Sequence, residues 1–195
     1  MQYRVARIDK TAEEYEALLV HKEYYAEKVA NLKPESRRRL EVLAVRCLLK
    51  DMMGDEQKIA YNENGAPSLS SGTQHLSISH TDGFVAAVVG ENPVGIDIER
   101  RGRRVEKVVS KFMQNSEIAL AETTDKLLAM HLIWSAKEAA FKVLGQDYYD
   151  LQNLTCVTKI DFENKIMNMN VSGKDPLTIH FDYTEEFVLC YLILR

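Results

Sequence analysis

The sequence predicts an α+β protein in which helices and antiparallel strands occupy separate stretches of the chain, and three observations carry that prediction. Apolar residues recur at helical spacing in two stretches before residue 54 and again over 126–144. Short segments of period-2 alternation, bounded by Gly, Asn and Pro, fill the chain after each helical region. The order helices then strands therefore occurs twice, which points to two halves of similar design, 1–99 and 100–195, each a mostly antiparallel sheet packed against a long helix.

The first ten residues read as a strand. Thr11 with Glu14 three residues on has the pattern of a capping box, and Tyr15, Leu18, Leu19, Tyr25 and Val29 continue at helical spacing, so a first helix is expected to about Leu32. Pro34 suits the first position of a second helix, whose apolar face is Leu40, Leu43, Ala44, Cys47, Leu48 and Met52 and which stops at Gly54. Its first turn holds Arg37, Arg38 and Arg39, which fan around more than half of the helix and cannot all be buried. After the Asn64-Gly65-Ala66-Pro67 turn, segments 76–79, 84–89 and 94–98 are joined by short Gly-containing turns, the pattern of an antiparallel meander. The basic stretch 100–104 marks the seam. Leu127, Met130, Trp134, Phe141 and Leu144 form one stripe of a long helix ended by Gly145, and alternating segments 154–160, 165–171, 177–181 and 187–194 complete the chain.

A chain of 195 residues with 46% apolar content can bury a sizeable core, and a net charge of −4 argues against coating nucleic acid or an anionic membrane. Any anion site must therefore be local. Cys47, Cys156 and Cys190 sit in apolar runs without a CxxC spacing, which suits reduced thiols rather than disulfides or a thiolate metal site. The charged N-terminal segment lacks the apolar core of a signal peptide, and no run approaches the roughly 20 apolar residues of a membrane span. A soluble cytoplasmic protein is expected.

Three elements could carry chemistry. In Val94-Gly95-Ile96-Asp97-Ile98-Glu99, alternation sends Gly95, Asp97 and Glu99 to one face, with the two carboxylates about 6.7 Å apart along the strand, a gap that a divalent cation and water could bridge. The same pattern describes a solvated strand face. On the long helix, Trp134, Glu138 and Lys142 follow at i, i+4 and i+8, which is either a surface Glu–Lys pair or an acid held between an apolar residue and a cation. Lys137 could reach the same anion or face solvent. Lastly, Leu76-Ser77-Ile78-Ser79-His80 runs into Thr81-Asp82-Gly83, and such a hydroxyl-rich strand end can hold a phosphate or merely end in a polar tip.

Their order and spacing together resemble the 4'-phosphopantetheinyl transferase superfamily: GIDIE stands at 95–99, WSAKEAAFK at 134–142, and SISH at 77–80 and NGAP at 64–67 fall where that family places them. Length and the arginine helix look like its larger, surfactin-synthetase-activating type, whose single chain folds as two pseudo-symmetric α+β halves and acts as a monomer. The resemblance implies Asp97, Glu99 and Glu138 as ligands of Mg²⁺ (Mn²⁺ as a substitute), with Glu138, Lys142 and Asp97 as catalytic residues. It implies that coenzyme A lies against Arg37, Arg38, Gly65, Ser79, His80, Thr81 and Lys142. Where the family often has lysine in a Gly-Lys-Pro turn this chain has Ala66, a lost phosphate contact for which Arg38 or Arg39 would compensate.

The implied reaction moves the phosphopantetheine arm of coenzyme A onto a serine of an apo-acyl or peptidyl carrier protein of lipid or secondary-metabolite synthesis and releases 3',5'-ADP. Carrier proteins present an acidic helix, so Arg100, Arg101, Arg103, Arg104 and Lys107 are candidate partner contacts, and equally a solvated basic loop. Neither nucleic acid nor membrane is an expected partner. Two rival readings use the same residues: another metal-dependent phosphohydrolase or nucleotidyl enzyme, and a catalytically silent coenzyme A-binding module.

Overall fold

The computed structural model of the chain describes residues 1–194. By its internal contacts the chain divides into two compact units, Met1–Pro93 and Val94–Arg195.

The first unit comprises β1 (Gln2–Arg7), α1 (Ala12–Ala17), α2 (Ala26–Val29), α3 (Arg37–Met53), β2 (Ile59–Tyr61), β3 (Pro67–Leu69), β4 (His75–Thr81) and β5 (Phe84–Gly90). Its main sheet is antiparallel in the order β1-β5-β4, and β2 pairs with β3 in a separate hairpin. Leu43, Leu48 and Leu49 of α3 pack with Val85, Ala87 and Val89 of β5 in the core. The capping box at Thr11 is present. The single first helix is not: α1 ends at Ala17, a 3₁₀ turn spans Lys22–Tyr24, and α2 is one turn long. The cause is tertiary. The Glu56 carboxylate accepts the backbone N–H groups of Val20 and His21 at 2.6 and 2.9 Å, and Lys50 Nζ donates to the Leu18 carbonyl at 2.6 Å, so groups that a continuous helix would pair internally are paired from outside. Likewise α3 starts after Pro34, because Ser36 caps it by accepting from Arg39 N–H. It ends as expected at Gly54, whose φ of 82° favours glycine.

The second unit comprises β6 (Val94–Arg100), two 3₁₀ turns, α4 (Asn115–Glu122), α5 (Lys126–Leu144), a third 3₁₀ turn (Gln146–Tyr148), α6 (Leu151–Leu154), β7 (Thr155–Asp161), β8 (Ile166–Val171), β9 (Leu177–Tyr183) and β10 (Phe187–Ile193). Its five strands are antiparallel in the order β6-β10-β9-β8-β7. Strand β6 is therefore not the third member of a meander with β4 and β5. It pairs along its length with β10, from Val94 opposite Ile193 to Arg100 opposite Phe187. A short turn sends the chain either back along its neighbour or on to another sheet, and the pairing with β10 is a long-range event that the turn residues do not encode. For the same reason the division of the chain falls before β6 rather than after Glu99.

Asp125 caps α5 through the Leu128 N–H and Gly145 ends it, while Leu132, Ile133, Ala136 and Ala140 pack on Met167, Ile179, Phe181 and Val188. The class is thus α+β. Each unit sets one long helix against one antiparallel sheet, but the sheets have three and five strands. All three cysteines are free. Among the described residues no helix is long and apolar enough to cross a membrane.

Candidate active site

In the second unit, one glycine brings the acidic strand and the long helix together. A Cβ added at Gly95 would strike the carbonyl oxygen of Ala139 and lie 2.6 Å from Val143 Cγ2, so α5 packs against β6 at a distance only glycine permits. The predicted alternation then acts as expected, because Gly95, Asp97 and Glu99 share the face toward α5. Ser135 Oγ donates to the Asp97 carbonyl at 3.0 Å, Lys142 Nζ donates to the Ile96 carbonyl at 2.7 Å and to Asp97 Oδ1 at 3.0 Å, and Trp134 Nε1 donates to Glu99 Oε1 at 2.9 Å.

The three acids feel one another. Burial raises the Glu99 carboxyl to about 7, and Asp97 and then Glu138 push it the same way against the opposing Trp134 hydrogen bond and the Lys142 charge. Glu138 is raised too, by burial first and by Asp97 second, with Lys142 opposing. Asp97, Glu99, Glu138 and Lys142 thus form one electrostatic cluster in which negative charge is in excess.

Among the described residues, no group of three or more His, Cys, Asp and Glu side chains stands ready to hold a metal ion. The Lys142 ammonium sits on Asp97 instead. The donor set nonetheless suits a hard divalent cation: it is all carboxylate oxygen, and its mutual repulsion is what such an ion relieves. Mg²⁺ is commonly held by one or two carboxylates and completes its shell with water and substrate phosphate oxygens, so it does not need a cage of three protein ligands.

Lys137, next to Glu138, belongs to a different structure. Its side chain is fully buried and its ammonium donates to Glu117 Oε2 at 2.8 Å and to the carbonyls of Phe112, Thr155 and Leu151 at 2.7, 3.0 and 3.2 Å. Glu117 in turn accepts from the N–H groups of Val157 and Gln114 at 2.7 and 2.8 Å. Lys137 therefore ties α5 to α4 and β7, and it neither meets solvent nor reaches an anion beside Glu138.

The first unit carries a cationic cluster. Glu41, buried at 5% side-chain exposure, accepts from Arg37 Nε at 2.8 Å and Arg38 Nη1 at 3.3 Å and pairs with His80 Nδ1 at 3.2 Å. Arg38 Nη1 also lies 2.8 Å from His80 Nε2. Arg38, Glu41, Gly65 and His80 line a cavity of about 140 Å³, beside Tyr61 and Arg46. Gly65 holds the β2–β3 turn with φ 77°, and Asn62 Oδ1 secures it by accepting from the N–H groups of Asn64 and Ala66. Ser79 and Thr81 are not brought into this cluster. They alternate with Ile78 and His80 along β4 and are buried on its other face. Arg39 turns away to Glu16 and the Val29 carbonyl.

In the basic loop, Arg103, Arg104 and Lys107 are exposed, whereas Arg101 is tied to the Thr184 carbonyl at 3.0 Å and to Asp125. Two contributors escaped sequence reasoning. Trp134 was legible only as apolar bulk, although its indole N–H is the partner of Glu99; Glu41 lies four and three residues beyond Arg37 and Arg38, a spacing that could have marked it.

A strand and a helix that set carboxylates and an ammonium together make a centre suited to phosphate-ester chemistry, here in an α+β unit. Residues 93–191, about half of the chain, match the model of the 4'-phosphopantetheinyl transferase superfamily, and the chain belongs to that superfamily. It is similar to 4'-phosphopantetheinyl transferase gsp of Aneurinibacillus migulanus, with 29% identity over 122 residues, 61% of this chain and 50% of that protein. The 4'-phosphopantetheinyl transferase AcpT of Salmonella typhi is 30% identical over 119 residues, 57% of this chain and 62% of that protein. AcpT of Salmonella typhimurium is 29% identical over the same length. The chain thus spans between half and 62% of the length of these curated relatives.

Proposed function

We propose that this chain transfers the 4'-phosphopantetheine group of coenzyme A to the serine hydroxyl of an apo-carrier protein, with Mg²⁺ as its metal, and releases 3',5'-ADP. The observation that carries the reading is the cluster of Asp97, Glu99 and Glu138 around Lys142, built by the Gly95 contact between β6 and α5. The family membership supports it.

Asp97, Glu99 and Glu138 would hold Mg²⁺, which when bound supplies Lewis-acid polarisation of the phosphoryl group and neutralises charge on the diphosphate. The serine oxygen attacks the β-phosphorus, the bond from that phosphorus to the bridging oxygen breaks, and the electron pair leaves on 3',5'-ADP. Glu138 takes the serine proton, directly or through water, because its raised proton affinity brings it nearer to the range of a useful base. Lys142 places its ammonium beside the departing phosphate, a role in which it must leave Asp97 or share it. Arg37, Arg38, the Gly65 turn and His80 bind the 3'-phosphate and adenine end, with Glu41 fixing their side chains. Ser79 and Thr81 support that binding through β4 rather than from the cavity. The protein acts in the cytoplasm as a monomer, and Arg103, Arg104 and Lys107 meet the acidic helix of the carrier protein.

The test is to incubate the protein with coenzyme A, Mg²⁺ and an apo-carrier protein and to weigh the carrier. Addition of one phosphopantetheine arm is expected. Breakdown of coenzyme A without any change in the carrier would point to a hydrolase, and binding without either product to a silent module.

A further inference from the structure

Trp134 is the one tryptophan of the chain, and it meets the acidic cluster through its polar edge. Its indole Nε1 donates to Glu99 Oε1 at 2.9 Å, while among the described residues no hydrogen bond reaches Glu99 Oε2. The ring is held from behind. It packs edge-on against Phe112, with ring centroids 4.9 Å apart at 63°, and Phe112 is fully buried. The Phe112 carbonyl is in turn held by the Lys137 ammonium at 2.7 Å. One residue further along α5, Ser135 Oγ grips the Asp97 carbonyl at 3.0 Å, so the helix that carries Glu138 also holds β6 beside both of its acids.

The partners of the two β6 carboxylates differ in kind. Lys142 brings a charge to Asp97, which a cation must share or displace. Trp134 brings a neutral N–H that only donates, so it neither competes with a cation by charge nor becomes a ligand itself. Such a donor orients a metal-binding carboxylate and engages one of its oxygens. Ions differ in what they ask of that carboxylate. Ca²⁺ gathers about six to eight oxygens and can take both from one carboxylate, whereas Mg²⁺ needs near-octahedral geometry at roughly 2.0–2.1 Å and keeps waters. A carboxylate with one oxygen engaged and the other open suits the smaller ion.

We infer that Trp134 is a positioning residue that engages Glu99 Oε1, leaves Oε2 to the cation and thereby makes the centre favour Mg²⁺ over Ca²⁺. The inference deepens the metal reading above and rests on it.

Calorimetric binding of Mg²⁺ and of Ca²⁺ to the full chain, with and without Trp134→Phe, tests it. Phenylalanine keeps an aromatic ring beside Phe112 and removes the N–H. The wild type should bind Mg²⁺ more tightly than Ca²⁺. Trp134→Phe should weaken Mg²⁺ about tenfold, the scale of a lost outer-shell partner, and change Ca²⁺ by less than about twofold, because freedom to chelate with both oxygens offsets the lost orientation. Equal weakening of both ions would make Trp134 a support for Glu99 with no choice of ion and overturn the inference, as would unchanged affinities or a wild type without preference; the metal reading would survive each of these. Binding of neither ion by the wild type would instead remove that reading, and the inference with it. Should Trp134→Phe not fold, the wild-type indole N–H, a single NMR signal, must exchange with solvent no faster with Mg²⁺ bound than without it, and the preference for Mg²⁺ must hold; faster exchange or no preference contradicts the inference.

Discussion

Glu99 carries the clearest consequence of the site's electrostatics. Its carboxyl is raised from an ordinary 4.5 to about 7, so in the metal-free chain the stability it contributes is fully present below 4.5 and is lost as pH rises through 7. Added Mg²⁺ should offset that loss. The urea midpoint should therefore rise with Mg²⁺ at pH 8 and change little at pH 5; an equal response at both values would separate Glu99 from the cation. Glu138→Gln removes a charge from the same cluster with little change in volume, and we expect transfer to fall by two orders of magnitude or more, about the scale of a lost general base, with the fold intact by circular dichroism. Arg37→Ala should raise the KM for coenzyme A more than it lowers kcat, since the contact proposed for it is with the far end of the substrate rather than the reacting bond. At this scale the sequence was informative about direction: period-2 alternation put Asp97 and Glu99 on one face, and i+4 spacing put Glu138 with Lys142. It could not tell Lys137 from Glu138. Adjacent helical residues differ by about 100° in direction, and which one is buried depends on α4 and β7, elements outside the helix itself.

At the scale of elements, the contact between β6 and α5 decides whether the carboxylates converge. Gly95→Ala must displace the Ala139 backbone, a change we expect to cost about 1–3 kcal/mol of stability, as overpacking does, and to lower transfer beyond that loss. A variant with normal stability and turnover would show that the close approach is dispensable. Lys137→Met should be more damaging, about 3–5 kcal/mol, because it leaves Glu117 charged and buried without its partner; denaturant titration reads the difference. Both helices with clear stops, Gly54 and Gly145, were legible, since a glycine C-cap is local chemistry. The interruption after α1 was not. It is imposed by Glu56 and Lys50, whose approach no local pattern records.

Over the whole molecule, the α+β class was legible because helical and alternating stretches are segregated along the chain, while the destination of β6 was not, being set by pairing with the last strand. The residues implied for coenzyme A other than Lys142 lie in the first unit and the acids in the second. Although the chain is negative overall, Arg103, Arg104 and Lys107 give it a local cationic surface, and the KM for an acidic carrier protein should rise as salt shortens the roughly 10 Å Debye length at 0.1 M. Insensitivity to salt, or to Arg103→Glu with Arg104→Glu, would move the carrier elsewhere. The most direct test of the whole account is Mn²⁺ binding followed by electron paramagnetic resonance in the presence of coenzyme A. The wild type should bind the ion and the folded Glu138→Gln variant should lose it; unchanged binding in that variant would mean that α5 and β6 do not share a cation.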